Sequence, residues 1–208
     1  MYSAGRTDAG VHAIAMVAHF DLDKEVDAQT VMRALNFYLI NSPVSVLDCE
    51  IVNDDFHSRF SCVQRSYKYV VLNRSAPVVL QKNRVWWVPQ KLNIDAMRDA
   101  AKKLVGKHDF SSFRAAQCQS KSPIKTLDSC DIIQNGDEIE FWFSARSFLH
   151  HQVRNMVGTL VEIGTGKNYD IDEIFEAKDR SAAGVNAPAC GLYFVNARYA
   201  TDDDLKNA

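Results

Sequence analysis

Apolar positions along the chain fall into short alternating runs separated by a few helical stripes. Residues 15–20 (AMVAHF) predict a strand, closed by the polar cluster Asp21 to Asp27. Val31, Ala34, Leu35, Tyr38 and Leu39 then recur at i, i+3, i+4, i+7 and i+8, one apolar face of a helix that Asp27 is placed to cap. Ser42–Pro43 ends that element, because the residue before proline avoids the helical region. In 44–51, Leu47, Cys49 and Ile51 alternate with Asp48 and Glu50, which predicts a second strand. Residues 66–72 (SYKYVVL) predict a third, with Tyr67, Tyr69 and Val71 on one face, and 84–88 (RVWWV) a fourth.

Ile94, Met97, Ala101, Leu104 and Val105 mark a second helix, with Gly106 as its C′ residue. His108 to Pro123 is polar and aperiodic and reads as a long loop, a feature that is often functional. Residues 124–133 and 138–146 flank Asn135–Gly136, a hairpin signal. Val153, Met156, Val157, Leu160 and Val161 predict a third helix closed by Gly164 and Gly166. An acidic helix follows over about 170–178, then a strand at 192–199 and a frayed tail from Asp202 to Ala208. The alternation of strands and helices predicts an α+β fold with mainly antiparallel pairing.

At 208 residues the chain suits one domain or two small ones. Its 47% hydrophobic and 24% charged residues form an ordinary soluble composition. No apolar run approaches the roughly 20 residues that cross a bilayer. With no secretory pattern at the start, the expected location is the cytoplasm and no membrane partner is expected. Five scattered cysteines, with no CxxC pair, argue for free thiols rather than a disulfide framework or a zinc finger. The net charge of −2 hides an uneven distribution. Residues 54–154 carry 16 basic and 10 acidic side chains, while the segments on either side are each net acidic. A basic middle can track phosphates, although ordinary surface scatter accounts for it equally well.

Three segments carry candidate chemistry. GRTDAGVHA brackets Arg6 and Asp8 with Gly5 and Gly10, so an aspartate sits where backbone can approach a ligand closely. Taken alone, Asp8 could equally cap a turn. Phe56 to Val71 interleaves Arg59, Arg65 and Lys68 with aromatic rings, a pattern suited to RNA; the simpler reading is an edge strand with snorkelling basic residues. Phe148 to Gly158 opens the third helix, where His150 and Arg154 lie four apart and share a face. A metal role for His150 and His151 fits poorly, because adjacent residues diverge on a helix and there is no HExxH.

Taken in order, GRTDAGVHA, DDFHSRFSCVQRSYKY, HDFSSFRAAQCQSKSP, FLHHQVRNMVGTLVEIG and APACGLYFV resemble the TruA family of tRNA pseudouridine synthases across essentially the whole chain. The resemblance implies a pseudouridine synthase fold: a mainly antiparallel sheet with helices, in two related half-domains around a basic cleft. These halves would divide here as 1–53 and 54–208. It implies isomerisation of uridine to pseudouridine at positions 38, 39 and 40 of the tRNA anticodon stem-loop, by a homodimer, with no cofactor and no metal. By the same resemblance the catalytic residues are Asp8, the nucleophile, Tyr67, which stacks on the flipped uracil and can move a proton, and Arg154, which pairs with Asp8. Arg6 assists base flipping, and Arg59, Arg114 and Lys121 are candidates for substrate phosphates. The family also carries a strand, a YDGxxYxGWQ loop and a helix ahead of GRTDAGVHA. This sequence opens almost at the motif, so the first half is expected to be incomplete, either as a truncated copy or as a half completed by another chain. Two further readings are a non-enzymatic RNA-binding remnant and, last, an unrelated hydrolase built on Asp8 and His12.

Overall fold

The strand predicted at 66–72 becomes the centre of the sheet. In a computed structural model that describes residues 1–200, residues 62–73 form one strand paired on both sides. The elements in chain order are β1 (Tyr2–Ser3), β2 (His12–Ala13), β3 (Ala18–His19), α1 (Ala28–Tyr38), β4 (Cys62–Asn73), β5 (Trp86–Val88) and α2 (Ile94–Leu104). They continue as β6 (Gly106–Asp109), β7 (Ile124–Asn135), β8 (Glu138–Ala145), α3 (Gln152–Gly164), α4 (Ile171–Ala177) and β9 (Leu192–Tyr199). The main sheet runs β2-β9-β4-β8-β7-β6, with β5 joined to β4. Its pairs are antiparallel except β2 with β9 and β4 with β5. β1 and β3 form a separate antiparallel pair. The fold is therefore α+β with a mainly antiparallel mixed sheet, as the pattern predicts.

β4 lies between β8 and β9, so the edge-strand reading of its basic and aromatic residues fails. Its two faces divide the chemistry. Tyr67, Tyr69 and Val71 enter the main core. Lys68 points the other way, paired with Glu140 at 3.0 Å and set over the Trp142 ring. Arg65 is buried and donates to the carbonyls of Ala4, Arg59 and Arg146, which pins three chain segments together.

The hairpin forms one residue later than Asn135–Gly136 suggests. Asn135 still pairs with Glu138, leaving Gly136 and Asp137 as the loop. Gly136 takes φ +61° at the first loop position, where a type II′ turn takes glycine.

Four expectations need correction. Residues 44–51 form no strand. Asn36 of α1 bonds both the N–H and the carbonyl of Val46, so the groups a ladder would use are already taken, and Leu47 and Ile51 stay exposed. Residues 108–123 are not all loop: β6 extends to Asp109, a 3-10 turn spans Ser111–Phe113, and Phe110 and Phe113 are fully buried. The early strand covers only Ala18–His19, and the fourth only Trp86–Val88. The expected tail from Asp202 onward lies outside the described residues.

α1 is capped by Asp27, whose carboxylate accepts from the Thr30 amide at 2.9 Å, but it has no fully buried residue. α3 is the opposite case. It is buried on nearly every side, polar residues included, so its apolar stripe understates its contacts. Asn155 bonds the Phe113 carbonyl, Thr159 receives the Gly184 amide, and Glu162 receives the Val185 amide. The bond from Asn155 ties the 3-10 turn to the helix, and the other two hold the 183–187 segment against it. Gly158 permits the approach, because a Cβ there would lie 1.7 Å from the Val185 carbonyl oxygen.

Gly158→Ala is accordingly expected to destabilise the fold by about 3 kcal/mol, seen as a lowered midpoint in urea or heat denaturation. An unchanged midpoint would mean that α3 and residues 183–187 do not meet this closely.

Candidate active site

The GRTDAGVHA segment leaves β1 and must reach β2 within a few residues. Asp8, Ala9, Gly10 and Val11 make the bend, with the Val11 N–H donating to the Asp8 carbonyl at 3.1 Å. Gly10 sits at φ +84°, the third position of a type II turn, where glycine is favoured. The segment is held at both ends. Ala4 donates to the Val17 carbonyl and accepts from Arg65, and Ile14 donates to the Phe194 carbonyl as β2 runs beside β9. Gly5 packs beside the sheet, where a Cβ would be in ordinary contact, 3.6 Å from the Tyr67 hydroxyl and the Phe194 ring.

Opposite Asp8, the end of the link from β8 and the first turn of α3 present three nitrogens. Arg154 Nη1 donates to Asp8 Oδ2 at 2.7 Å. His150 Nε2 lies 3.1 Å from Oδ1, and His151 Nε2 lies 3.0 Å from Oδ2. The histidines converge because they precede the helix rather than lie on it. His151 is the N-cap residue, at φ 65° in the left-handed region, and this backbone brings adjacent rings to centroids 4.0 Å apart. The expectation that these two rings diverge is thereby corrected. Arg154 is also aimed from behind, where its Nε donates to the Ala187 carbonyl at 2.8 Å. Asn186 Nδ2 lies 3.2 Å from His151 Nδ1, so that nitrogen accepts and Nε2 carries the proton toward Asp8.

Partial burial pushes the Asp8 carboxyl up, but hydrogen bonds from Arg154 and His150 and the nearby positive charges more than offset it. The net result is a pKa below the ordinary carboxylate value. His151 moves down as well, because burial outweighs the attraction of Asp8. The Arg154 guanidinium is a permanent positive charge on the carboxylate. Burial pushes the Tyr67 phenol up to about 12, so it stays protonated. Its ring is fixed edge-to-face by Phe148 and Phe194, with centroids 5.0 and 5.2 Å away.

These groups line a cleft of about 820 Å³ in which Asp8 is the one acidic residue among the described lining. Around it stand Arg6, Arg59, Lys125, Arg146 and Arg154, with Tyr67 and Phe148 as ring surfaces. Arg6 is exposed and donates to Gln119 at 3.3 Å. Arg114 and Lys121 do not line this cleft, although Gln117 to Ser120 between them do. Lys125 and Arg146 were not singled out in the sequence, because each follows strand alternation with no motif around it. The same holds for the convergence of both histidines on Asp8, whose only sequence signal was the HH pair before a helix.

A family model described as tRNA pseudouridine synthase matches residues 100–200. A tRNA pseudouridine synthase A of Paramagnetospirillum magneticum is 51% identical over 201 residues, which is 96% of this chain and 78% of that protein. The protein of the same name from Rhodospirillum centenum is 55% identical over 201 residues, covering 82% of its length. That from Rhodospirillum rubrum is 52% identical over 202 residues, covering 72%. The chain belongs to the tRNA pseudouridine synthase family.

Proposed function

We propose that the chain isomerises uridine to pseudouridine at positions 38, 39 and 40 of the tRNA anticodon stem-loop, with Asp8 as the nucleophile. One observation carries the assignment: a single carboxylate, bonded to Arg154, shares with a buried tyrosine a cleft whose other charged groups are basic. The cleft's charge suits a polyanion, and its one negative group is placed where a neutral uracil or its sugar would arrive.

The chemistry asks for a covalent holder. The bond from C1′ to N1 breaks, the base turns, and a bond from C1′ to C5 forms. C5 gives up a proton and N1 gains one, so no atoms or electrons are added overall. An ionised Asp8 can form an ester or adduct that keeps one fragment bound during the turn, then leave. Either the base or the sugar can receive its attack in this geometry. The target nucleotide must leave its stack to reach Asp8. Arg6, which is exposed and lines the cleft, is assigned to occupy the vacated space. Tyr67, protonated and fixed by Phe148 and Phe194, supplies a ring for the uracil to rest against. Arg59, Lys125 and Arg146 are assigned to nearby phosphates, and Arg114 and Lys121 to more distant ones. A homodimer belongs to the same reading. It is supported by the small size of the chain beside a tRNA and by the exposed Phe37, Tyr38 and Ile40.

Two outcomes are expected. Asp8→Ala loses turnover by about 10³-fold or more on an anticodon-arm RNA, while RNA affinity in a filter or anisotropy assay stays within a few-fold. Full activity in that variant would exclude Asp8 as nucleophile, and RNA binding without turnover in the unaltered chain would favour an inactive RNA-binding protein. Arg154→Met removes the main group holding the Asp8 pKa down and leaves the burial that pushes it up. The acid limb of kcat should therefore move to higher pH, with kcat near neutrality falling by about ten- to a hundredfold. An acid limb that stays in place would show that Arg154 does not tune Asp8.

A further inference from the structure

Asp8, His150 and His151 also have the composition of a metal site. We propose that these three side chains bind a divalent transition-metal ion of borderline softness, with Zn2+ as the type case, and that the bound ion excludes uridine from the cleft. The exclusion rests on the reading of Asp8 as nucleophile; the binding does not.

The geometry is the main support. The ligand atoms of the three residues all lie within 4.8 Å of one another. The two imidazole Nε2 atoms lie 3.1 and 3.0 Å from carboxylate oxygens. Zinc–nitrogen and zinc–oxygen bonds of about 2.0–2.1 Å in a tetrahedron place neighbouring ligand atoms about 3.3 Å apart. Replacing the shared protons with an ion therefore needs only small side-chain movements. Two imidazoles and a carboxylate with a fourth position open to the cleft is a recurrent zinc set, whereas Mg2+ and Ca2+ prefer oxygen ligands.

The surroundings supply both support and opposition. Metal binding at His151 Nε2 moves the ring proton to Nδ1, which needs an acceptor. Asn186 is already 3.2 Å from Nδ1, and turning its amide over presents Oδ1 in place of Nδ2. Arg154 opposes the ion, because its guanidinium is 2.7 Å from Asp8 Oδ2 and is held there by Ala187. The same cation that keeps Asp8 reactive thus limits how tightly a second cation can sit beside it, and the affinity should be moderate rather than that of a structural zinc.

The test uses the full chain under reducing, chelator-free conditions. Co2+ is titrated in and its visible d–d absorption followed, and Zn2+ is added to displace it. One Co2+ per chain is expected, with nitrogen and oxygen ligation, displaced by Zn2+ and untouched by millimolar Mg2+. His150→Ala and His151→Ala should each weaken binding at least tenfold, and Arg154→Met should tighten it severalfold. That tightening would not follow if the arginine were merely structural. Turnover on an anticodon arm, with excess Mg2+ occupying the phosphates, should fall as Zn2+ saturates the site. No binding below millimolar Co2+ would overturn the proposal. So would sulfur-to-metal charge-transfer bands showing that the free cysteines hold the ion, or full turnover with the site occupied. A chain with no turnover but the expected Co2+ spectrum would overturn the nucleophile reading, and with it the exclusion, and leave the site itself standing.

Discussion

Arg154 and Asp8 meet across 146 positions of sequence, and much of the structure serves to make that contact at 2.7 Å. On one side, α3 is buried on nearly all faces, and Gly158 lets residues 183–187 lie against it closely enough for Ala187 to orient the guanidinium. On the other, Arg65 fixes Ala4, the pairing of β2 with β9 fixes the far end of the motif, and Gly10 lets the turn between them close. A helix terminus and a tight loop, neither rigid alone, are thus brought into register by one sheet. An ionised carboxylate in a cleft is costly without a partner, and here the partner is positioned by backbone rather than by chance.

Much of this arrangement was legible in the sequence. The strand at 66–72, the stripes that became α2 and α3 and the strand at 192–199 follow from the spacing of their apolar residues, and the Asp27 cap from a carboxylate placed just ahead of a helical stripe. The failures have local causes. Leu47, Cys49 and Ile51 alternate as a strand would, yet the Asn36 side chain satisfies the backbone at Val46. Phe110 and Phe113 were hidden in a polar stretch, since two residues of core anchor a segment too short to show a period. The polar residues of α3 are buried through bonds to distant segments, which periodicity cannot register.

The candidate site divides in the same way. Asp8, Tyr67 and Arg154 could be connected before the structure only through resemblance to a family, because they lie on a turn, a strand and a helix far apart in sequence. Proximity to one cleft now gives them a physical basis. The left-handed backbone at His151 is the feature no pattern revealed, and it changes the site's character. It converts a lone ion pair into a carboxylate contacted by three nitrogens. Basic residues outside any motif, Lys125 and Arg146, complete the cleft's charge in a chain whose overall balance is slightly acidic.

The central claim is that Asp8 is held ionised by its setting, chiefly by Arg154 once burial is taken into account. A carboxyl-carbon NMR titration of the chain labelled at aspartate reads this directly, with Asp8→Asn identifying the resonance. The account predicts a midpoint for Asp8 below the ordinary aspartate value of 3.8. A midpoint at or above that value would mean that burial prevails over the arginine, and it would contradict the account.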